Sequence, residues 1–599
     1  MTETIAEIVA AHRAGTTTPA QTIARCYQRI RAHGDPAIFI TLRDEADAIA
    51  EAVALAAKDP ALPLYGVPVA VKDNIDVAGL PTTAACPAFA YQPSQDSTAV
   101  ARLRAAGAIV IGKTNLDQFA TGLVGVRSPY GIPRNAMRAD LVPGGSSSGS
   151  AVAVGAGLVP LSLGTDTAGS GRVPAMLNNI VGLKPSLGLI SSTGLVPACR
   201  TLDCISVFAL TVDDAVAALR VLGAPDPADA YSRERPVAAL TAMPSKLKLG
   251  VPLDGQLQFF GDQQAEQAYA ASLQRWTGLR AELIEVDIAP LYETARLLYE
   301  GPWVAERYLA IRELIDTQPD ALHPVTREIT LGGKPISAAD TFAALYRLQA
   351  LRKIADQMFA GFDALVLPTA PTTYTVDQVL ADPITLNSRL GTYTNFVNLL
   401  DLCGLAVPAS IDADGLPFGI TLLAPGGRDA QLASIGRTFH ADTALPLGAT
   451  GRPQPRLPAV EAASNVEAIN IAVVGAHLSG MALNGELTSL GGELVGATAT
   501  APDYKLYALK GTVPPKPGML RVAPGSGAAI AVEVWALSPA AFGRFVAAIP
   551  QPLSIGTITL TGGTTVKGFL VEPAALDGAR DITQFGGWRA YMADLAKAG

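Results

Sequence analysis

Histidine and cysteine are both scarce in this 599-residue chain, which holds five of each. Cys26, Cys86, Cys199, Cys204 and Cys403 show none of the paired spacings that hold zinc, so no metal site is expected, and no other motif implies a cofactor. An odd number of thiols without a secretory signal points to reduced cysteines and a cytoplasmic location. The opening MTETIAEIVAAHRAG has no basic n-region and no apolar h-region, so no signal peptide is read there. Charge is also sparse, at 16% of residues with a net of −8. Phosphate binding needs clustered Lys and Arg, and none occurs, so nucleic acid is not an expected partner.

Charge is missing altogether from residues 141–165. That run is broken by Pro143, Pro160 and several glycines and serines, so it reads as buried core and not as a membrane span, which needs about 20 apolar residues. Half of the chain is apolar (49%), enough for a large core and more than one domain.

Strand-like runs such as GVPVAVKD, GAIVIGKT, KLKLGVPLD and DALVLPTAP alternate with helical ones. That order predicts an α/β sheet covered by helices on both faces. The first 60 residues read as helices; TTTPAQTIARCYQRIRAHG has a Thr cap, Pro19 in the first turn and Gly34 at the end. Composition changes near residue 450, where ATGRPQPRLPAVEAASN loses periodicity. The expected organisation is a domain over 1–450, a linker over 451–466 and a smaller, strand-rich α+β domain over 467–599.

Two pattern matches are set aside. Gly107 to Thr114 fits the phosphate-loop spacing, but its four middle residues are apolar and read as the strand itself. Gly145-Ser146-Ser147-Ser148-Gly149 fits a nucleophile elbow, which needs a downstream histidine in a triad context. No histidine lies between His33 and His323, and none of the later ones stands in such a context.

A different constellation fits the serines. In LGTDTAGSGRVPA, Ser170 lies between Gly169 and Gly171, where backbone can approach a substrate closely. The N–H groups of Thr167, Ala168, Gly169 and Ser170 could then hold an oxyanion, and one such donor is worth about 10²–10³ in rate. Upstream, Lys72 ends an apolar strand. Burial would move its pKa from about 10.4 toward 7–8, at a cost of about 4 kcal/mol, and leave a neutral amine able to act as a base. Taken singly, these residues also read as a strand-end lysine, a helix-capping Ser146 and a loop serine.

Together, GVPVAVKDNIDV, GGSSSGSAVAVGAGLVPLSLGTDTAGSGRVPA and GLPFGITLLAP resemble the amidase signature family over roughly residues 1–450. The resemblance implies a mixed sheet sandwiched by helices and a Ser–Ser–Lys triad. Ser170 is the implied nucleophile, Ser146 the bridging serine after a cis peptide, and Lys72 the base. Within the family, NLDQFATGLVGVRSPYG, LLYEGPWVAERYLAIREL and the appended domain are similar to the allophanate hydrolase branch, which acts on urea-1-carboxylate. That likeness implies a small anionic amide substrate, with Tyr299 and Arg307 on its carboxylate and Gly122 bordering the pocket. It also implies a homodimer.

VVGAHLSGMALN, AIAVEVWAL and FGGWRAY resemble the C-terminal domain of that branch, similar in fold to γ-glutamyl cyclotransferases. The resemblance implies decarboxylation of N-carboxycarbamate there, with His477 as the candidate proton-transfer group and Glu533 as a second. A histidine near neutral pKa suits that role, although a strand-end structural histidine has the same sequence. Rival readings are a malonamidase-like enzyme, the amide-cleaving component of a tRNA amidotransferase, or an assembly protein whose second domain binds a urea carboxylase. No AMKM biotin motif occurs, so a carboxylase partner is expected on another chain.

Overall fold

Thr18 caps the helix Pro19–His33: its side chain accepts the Gln21 N–H, Pro19 occupies the first turn, and Gly34 closes the end with φ +65. The computed structural model describes residues 3–460 and 468–598. By contact they form two units, Met1–Ala462 and Ala463–Gly599.

The first unit is built on eleven strands: β1 (Phe39–Leu42), β2 (Pro68–Lys72), β3 (Ile109–Thr114), β4 (Leu161–Asp166), β5 (Val181–Lys184), β6 (Cys204–Ala209), β7 (Lys248–Pro252), β8 (Glu282–Val286), β9 (Ala364–Pro368), β10 (Leu402–Ile411) and β11 (Pro417–Pro425). Their order is β1-β3-β2-β4-β6-β5-β10-β11-β9-β7-β8. The sheet is mixed: β2 pairs with β3 and β4 in parallel, whereas β4–β6, β5–β10 and β10–β11 are antiparallel.

Alternation on β2 shows how both faces are covered. Val69 and Val71 join one apolar cluster with Val100, Leu103 and Leu219, while Ala70 joins another with Ile23, Ala52 and Val152. A strand buried on both faces reads as an unbroken apolar run. The uncharged stretch 141–165 is buried at every position except Ala156. Strand β3 takes up Ile109–Thr114 of the segment that mimics a phosphate loop, so most of it is strand where a loop would be needed. One element inside the first 60 residues departs from the helical reading. FITL is a four-residue edge strand, antiparallel to β3, too short to show a period of its own.

The proposed linker begins as part of the first unit. Arg437 Nη2 donates to the Pro458 carbonyl at 3.1 Å, and Gln454 Nε2 to that of His440 at 2.8 Å. Residues 461–466 of the linker lie outside the described residues.

The second unit holds β12 (Ile469–Val473), β13 (Glu493–Ala499), β14 (Tyr504–Ala508), β15 (Pro517–Arg521), β16 (Ala531–Leu537), β17 (Leu553–Thr559), β18 (Thr565–Val571) and β19 (Arg580–Asp581). They form a five-stranded sheet, β13-β16-β12-β18-β17, and a three-stranded one, β15-β14-β19. The helices Pro539–Ala547 and Trp588–Ala598 complete this smaller, β-rich unit.

Candidate active site

Lys72 is the last residue of β2, a strand buried at every position, and its own exposure is 0%. Its Nζ lies 2.7 Å from Ser146 Oγ, 3.0 Å from Ser147 Oγ and 2.6 Å from Thr165 Oγ1. Burial lowers the amine's pKa to about 7, against the opposing charges of Asp117, Asp203 and Asp166. An ammonium would donate to all three hydroxyls; a neutral amine donates to two and accepts from the third. Ser147 is not that third partner, because its hydroxyl donates to the Thr165 carbonyl at 3.2 Å. Ser146 and Thr165 remain. Ser146 does not cap the helix Ser148–Gly155; Ser147 holds that position, without a side-chain cap bond. The Gly145–Ser146 peptide is cis.

β4 ends at Asp166, and the loop carrying Ser170 is organised around that carboxylate. Oδ1 accepts the Gly169 N–H at 2.9 Å and Oδ2 the Gly171 N–H at 3.0 Å. Arg172 meets the same group with Nε and Nη2, both at 2.9 Å, and neither side chain is exposed. Burial alone would raise the Asp166 pKa. The charge and hydrogen bonds of Arg172, with Lys184 and the Gly171 amide, hold it below its ordinary value.

This arrangement corrects one expectation. The Gly169 N–H is committed to Asp166, so it is not a free oxyanion donor. Among the described residues, the N–H groups of Thr167, Ala168 and Ser170 find no protein acceptor. Thr167 is fixed differently, through its hydroxyl on Asp203 Oδ1 at 2.5 Å. Burial raises the Asp203 pKa to about 6, against the Thr167 hydrogen bond, the Cys199 and Ala198 amides and the charge of Arg307. Ser170 is 2% exposed, and its Oγ makes no hydrogen bond to Ser146 or to any other of the described residues. Catalytic hydrogen bonds are often long before substrate binds and tighten in the complex.

Arg307 lies in the helix Trp303–Ala310 and is 3% exposed. Its Nη1 donates to the Ala120 carbonyl at 3.4 Å and to Thr121 Oγ1 at 3.2 Å. Nε is buried without a partner, and no acceptor among the described residues meets Nη2. The Nε–Nη2 edge is the planar fork that matches a carboxylate. Tyr299 is half-buried, and the guanidinium carbon stands 5.5 Å from its ring centre. Gly122 follows in the same loop, with φ +155; a Cβ there would meet Asp117 Oδ2 at 2.5 Å. Arg307, Tyr299 and the 120–122 loop are thus brought together.

In the second unit His477 Nε2 pairs with Glu486 Oε2 at 2.9 Å. Its ring stacks on Phe569 at 5.2 Å and meets Phe545 edge-on at 5.1 Å. Burial lowers the imidazole pKa, against the pull of Glu486. Glu533 is spoken for elsewhere. Oε2 accepts from the Ser479 N–H and hydroxyl and from Trp535, and Oε1 pairs with Arg589 at 2.9 Å. No hydrogen bond joins His477 to Glu533. Among the described residues, no group of three or more His, Cys, Asp or Glu could hold a metal ion. No helix among them is long and apolar enough to cross a membrane.

Ser147, Thr165, Asp117, Asp203 and the Asp166–Arg172 pair were not singled out from the sequence. A signal existed for the last: Asp166 and Arg172 bracket the nucleophile loop in TDTAGSGR.

Comparison with known proteins identifies the family. The Amidase family profile matches residues 21–433, and that of the allophanate hydrolase C-terminal domain matches residues 469–593. A urea amidolyase of Saccharomyces cerevisiae is 44% identical over 551 residues, 90% of this chain; the chain spans only 30% of that relative's length. A glutamyl-tRNA(Gln) amidotransferase chain of Gloeobacter violaceus is 36% identical, over 68% of this chain and 89% of its own. The crystal structure of Kluyveromyces lactis allophanate hydrolase superposes with a TM-score of 0.80 at 42% identity, covering 99% of both chains. The chain belongs to the amidase family of amide hydrolases and carries the allophanate hydrolase C-terminal domain after it.

Proposed function

We propose that the protein hydrolyses allophanate with a Lys72–Ser146–Ser170 relay. The observation that carries this reading is the buried amine of Lys72, 2.7 Å from Ser146 Oγ. The neutral amine takes a proton from Ser146, which takes one from Ser170. Ser170 Oγ forms a bond to the terminal amide carbon, and the free N–H groups of Thr167, Ala168 and Ser170 meet the resulting oxyanion. The carbon–nitrogen bond then breaks, and the relay returns its proton to the departing ammonia. Water releases the acyl group from Ser170 as N-carboxycarbamate.

Choice of substrate rests on the unpaired Nε–Nη2 edge of Arg307 beside Tyr299, which suits a small carboxylate. Gly122 borders that subsite. A malonamidase-like activity would use the same fork, but the second unit favours allophanate. The functional domains are then 1–450 and 467–599, joined by 451–466. In the second, His477 transfers a proton during decarboxylation of N-carboxycarbamate, while Glu533 holds the Ser479 turn.

The protein is proposed to act in the cytoplasm as a homodimer, on allophanate supplied by a urea carboxylase. The five free, buried cysteines agree with that compartment. The test is ammonia release from allophanate, malonamate, biuret and glutamine side by side. Allophanate should give the highest kcat/KM; preference for another of the four would replace this reading. His477→Ala in the full chain should leave the first ammonia unaffected and let N-carboxycarbamate accumulate.

A further inference from the structure

Asp117 lies between the anchor loop and the bridging serine and belongs to neither. It is fully buried, just after β3. Oδ2 accepts the N–H groups of Val124 at 3.2 Å and Gly125 at 2.9 Å, and Oδ1 accepts that of Arg127 at 2.9 Å. Three amides on one carboxylate wrap residues 121–127 around it. On the other side, the Asp117 N–H donates to the Ser146 carbonyl at 3.0 Å.

Two glycines show how closely the carboxylate is packed. A Cβ on Gly145, next to the bridging serine, would stand 2.0 Å from Asp117 Oδ2, and one on Gly122 would stand 2.5 Å from it. The wrapped loop is the one that Arg307 and Arg127 grip, through Thr121 Oγ1 at 3.2 Å and the Thr121 carbonyl at 2.8 Å.

We infer that Asp117 is a positioning residue that holds the substrate-carboxylate loop and the Lys72–Ser146 pair in one register. The inference rests on the catalytic reading above. Displacing the carboxylate should therefore disturb binding and chemistry together, where a merely structural acid would lower only the amount of folded enzyme. The charge adds a signature. Asp117 is the largest of the charges that oppose the effect of burial on Lys72. Its removal lowers the Lys72 pKa and shifts the acid limb of kcat/KM to lower pH.

The test is D117N in the full chain, with active sites counted by acylation and kcat, KM and pH profile measured on allophanate and on a neutral amide. The expected result is a fall in kcat per active site of about 100-fold, the scale of a 1 Å misplacement. KM for allophanate should rise, and the acid limb should move down in pH. G122A, whose Cβ presses on the same carboxylate, should move KM and the limb as well, and it replaces D117N if that variant does not fold. An unchanged limb and KM in the folded variants would overturn the inference. If wild-type enzyme ignores allophanate but cleaves the neutral amide, the substrate reading fails separately, and the kcat and pH arms still decide the role of Asp117.

Discussion

Thr165 Oγ1 and Lys72 Nζ lie 2.6 Å apart, the shortest contact that the amine makes. The Thr165 and Ser147 hydroxyls both accept from the amine, at 2.6 and 3.0 Å, and together leave its lone pair directed at Ser146. Thr165→Val retains the branched shape and removes the hydroxyl. We expect kcat to fall by about tenfold, in line with the loss of one buried hydrogen bond, with KM nearly unchanged. Thr165→Ser should restore it. Steady-state ammonia release measures all three proteins.

Activity should rise with pH through about 7, because burial sets the Lys72 pKa there and only the neutral amine accepts a proton. Below that point kcat/KM should drop by about tenfold per pH unit. Lys72→Arg should be inactive at every pH from 6 to 9, since a guanidinium stays protonated (pKa above about 12). A pH profile that is flat across 7 would speak against Lys72 as the base.

The Asp166–Arg172 pair is fully buried, so removing one partner strands the other. Arg172→Met should destabilise the first unit by about 3–5 kcal/mol, the usual cost of an orphaned buried charge. It should also reduce the yield of active sites, because the Gly169 and Gly171 amides depend on the same carboxylate. Denaturant unfolding followed with an acylation count reads both effects; a midpoint equal to wild type would contradict this reading.

Arg307→Lys keeps a positive charge and loses the fork. KM for allophanate should increase by about tenfold or more, while KM for a neutral amide should stay as it was. Equal changes for both amides would show that Arg307 supports the loop and does not bind the carboxylate.

Glu533→Gln should weaken the second unit by about 1–3 kcal/mol, since an amide cannot accept from Ser479, Trp535 and Arg589 together. The first ammonia release should persist. Accumulation of N-carboxycarbamate at full stability would give Glu533 a direct part in the decarboxylation.

Much of the site was legible because its parts are local. The apolar run of GVPVAVKD and the glycines around Ser170 are short-range patterns, but taken singly they also read as a strand-end lysine and a loop serine, and the resemblance of the joined motifs to the amidase signature family is what singles them out. FITL was missed because an edge strand of four residues has no periodicity to read. Contacts between distant residues could not be read at all. Lys72 and Thr165 are 93 positions apart, and no spacing in either segment indicates that they touch. The oxyanion loop shows a subtler limit: the sequence identifies four consecutive amides but cannot tell that Asp166 has already taken the third.

The relay is tested most directly by quenching the enzyme within its first turnover of allophanate and analysing its peptides by mass spectrometry. The expected result is an acyl group on Ser170 of the wild-type protein, formed with the first equivalent of ammonia and lost when Lys72 is replaced by Met. Ammonia released at full rate while Ser170 remains unmodified, or an adduct that forms equally fast without Lys72, would contradict the account.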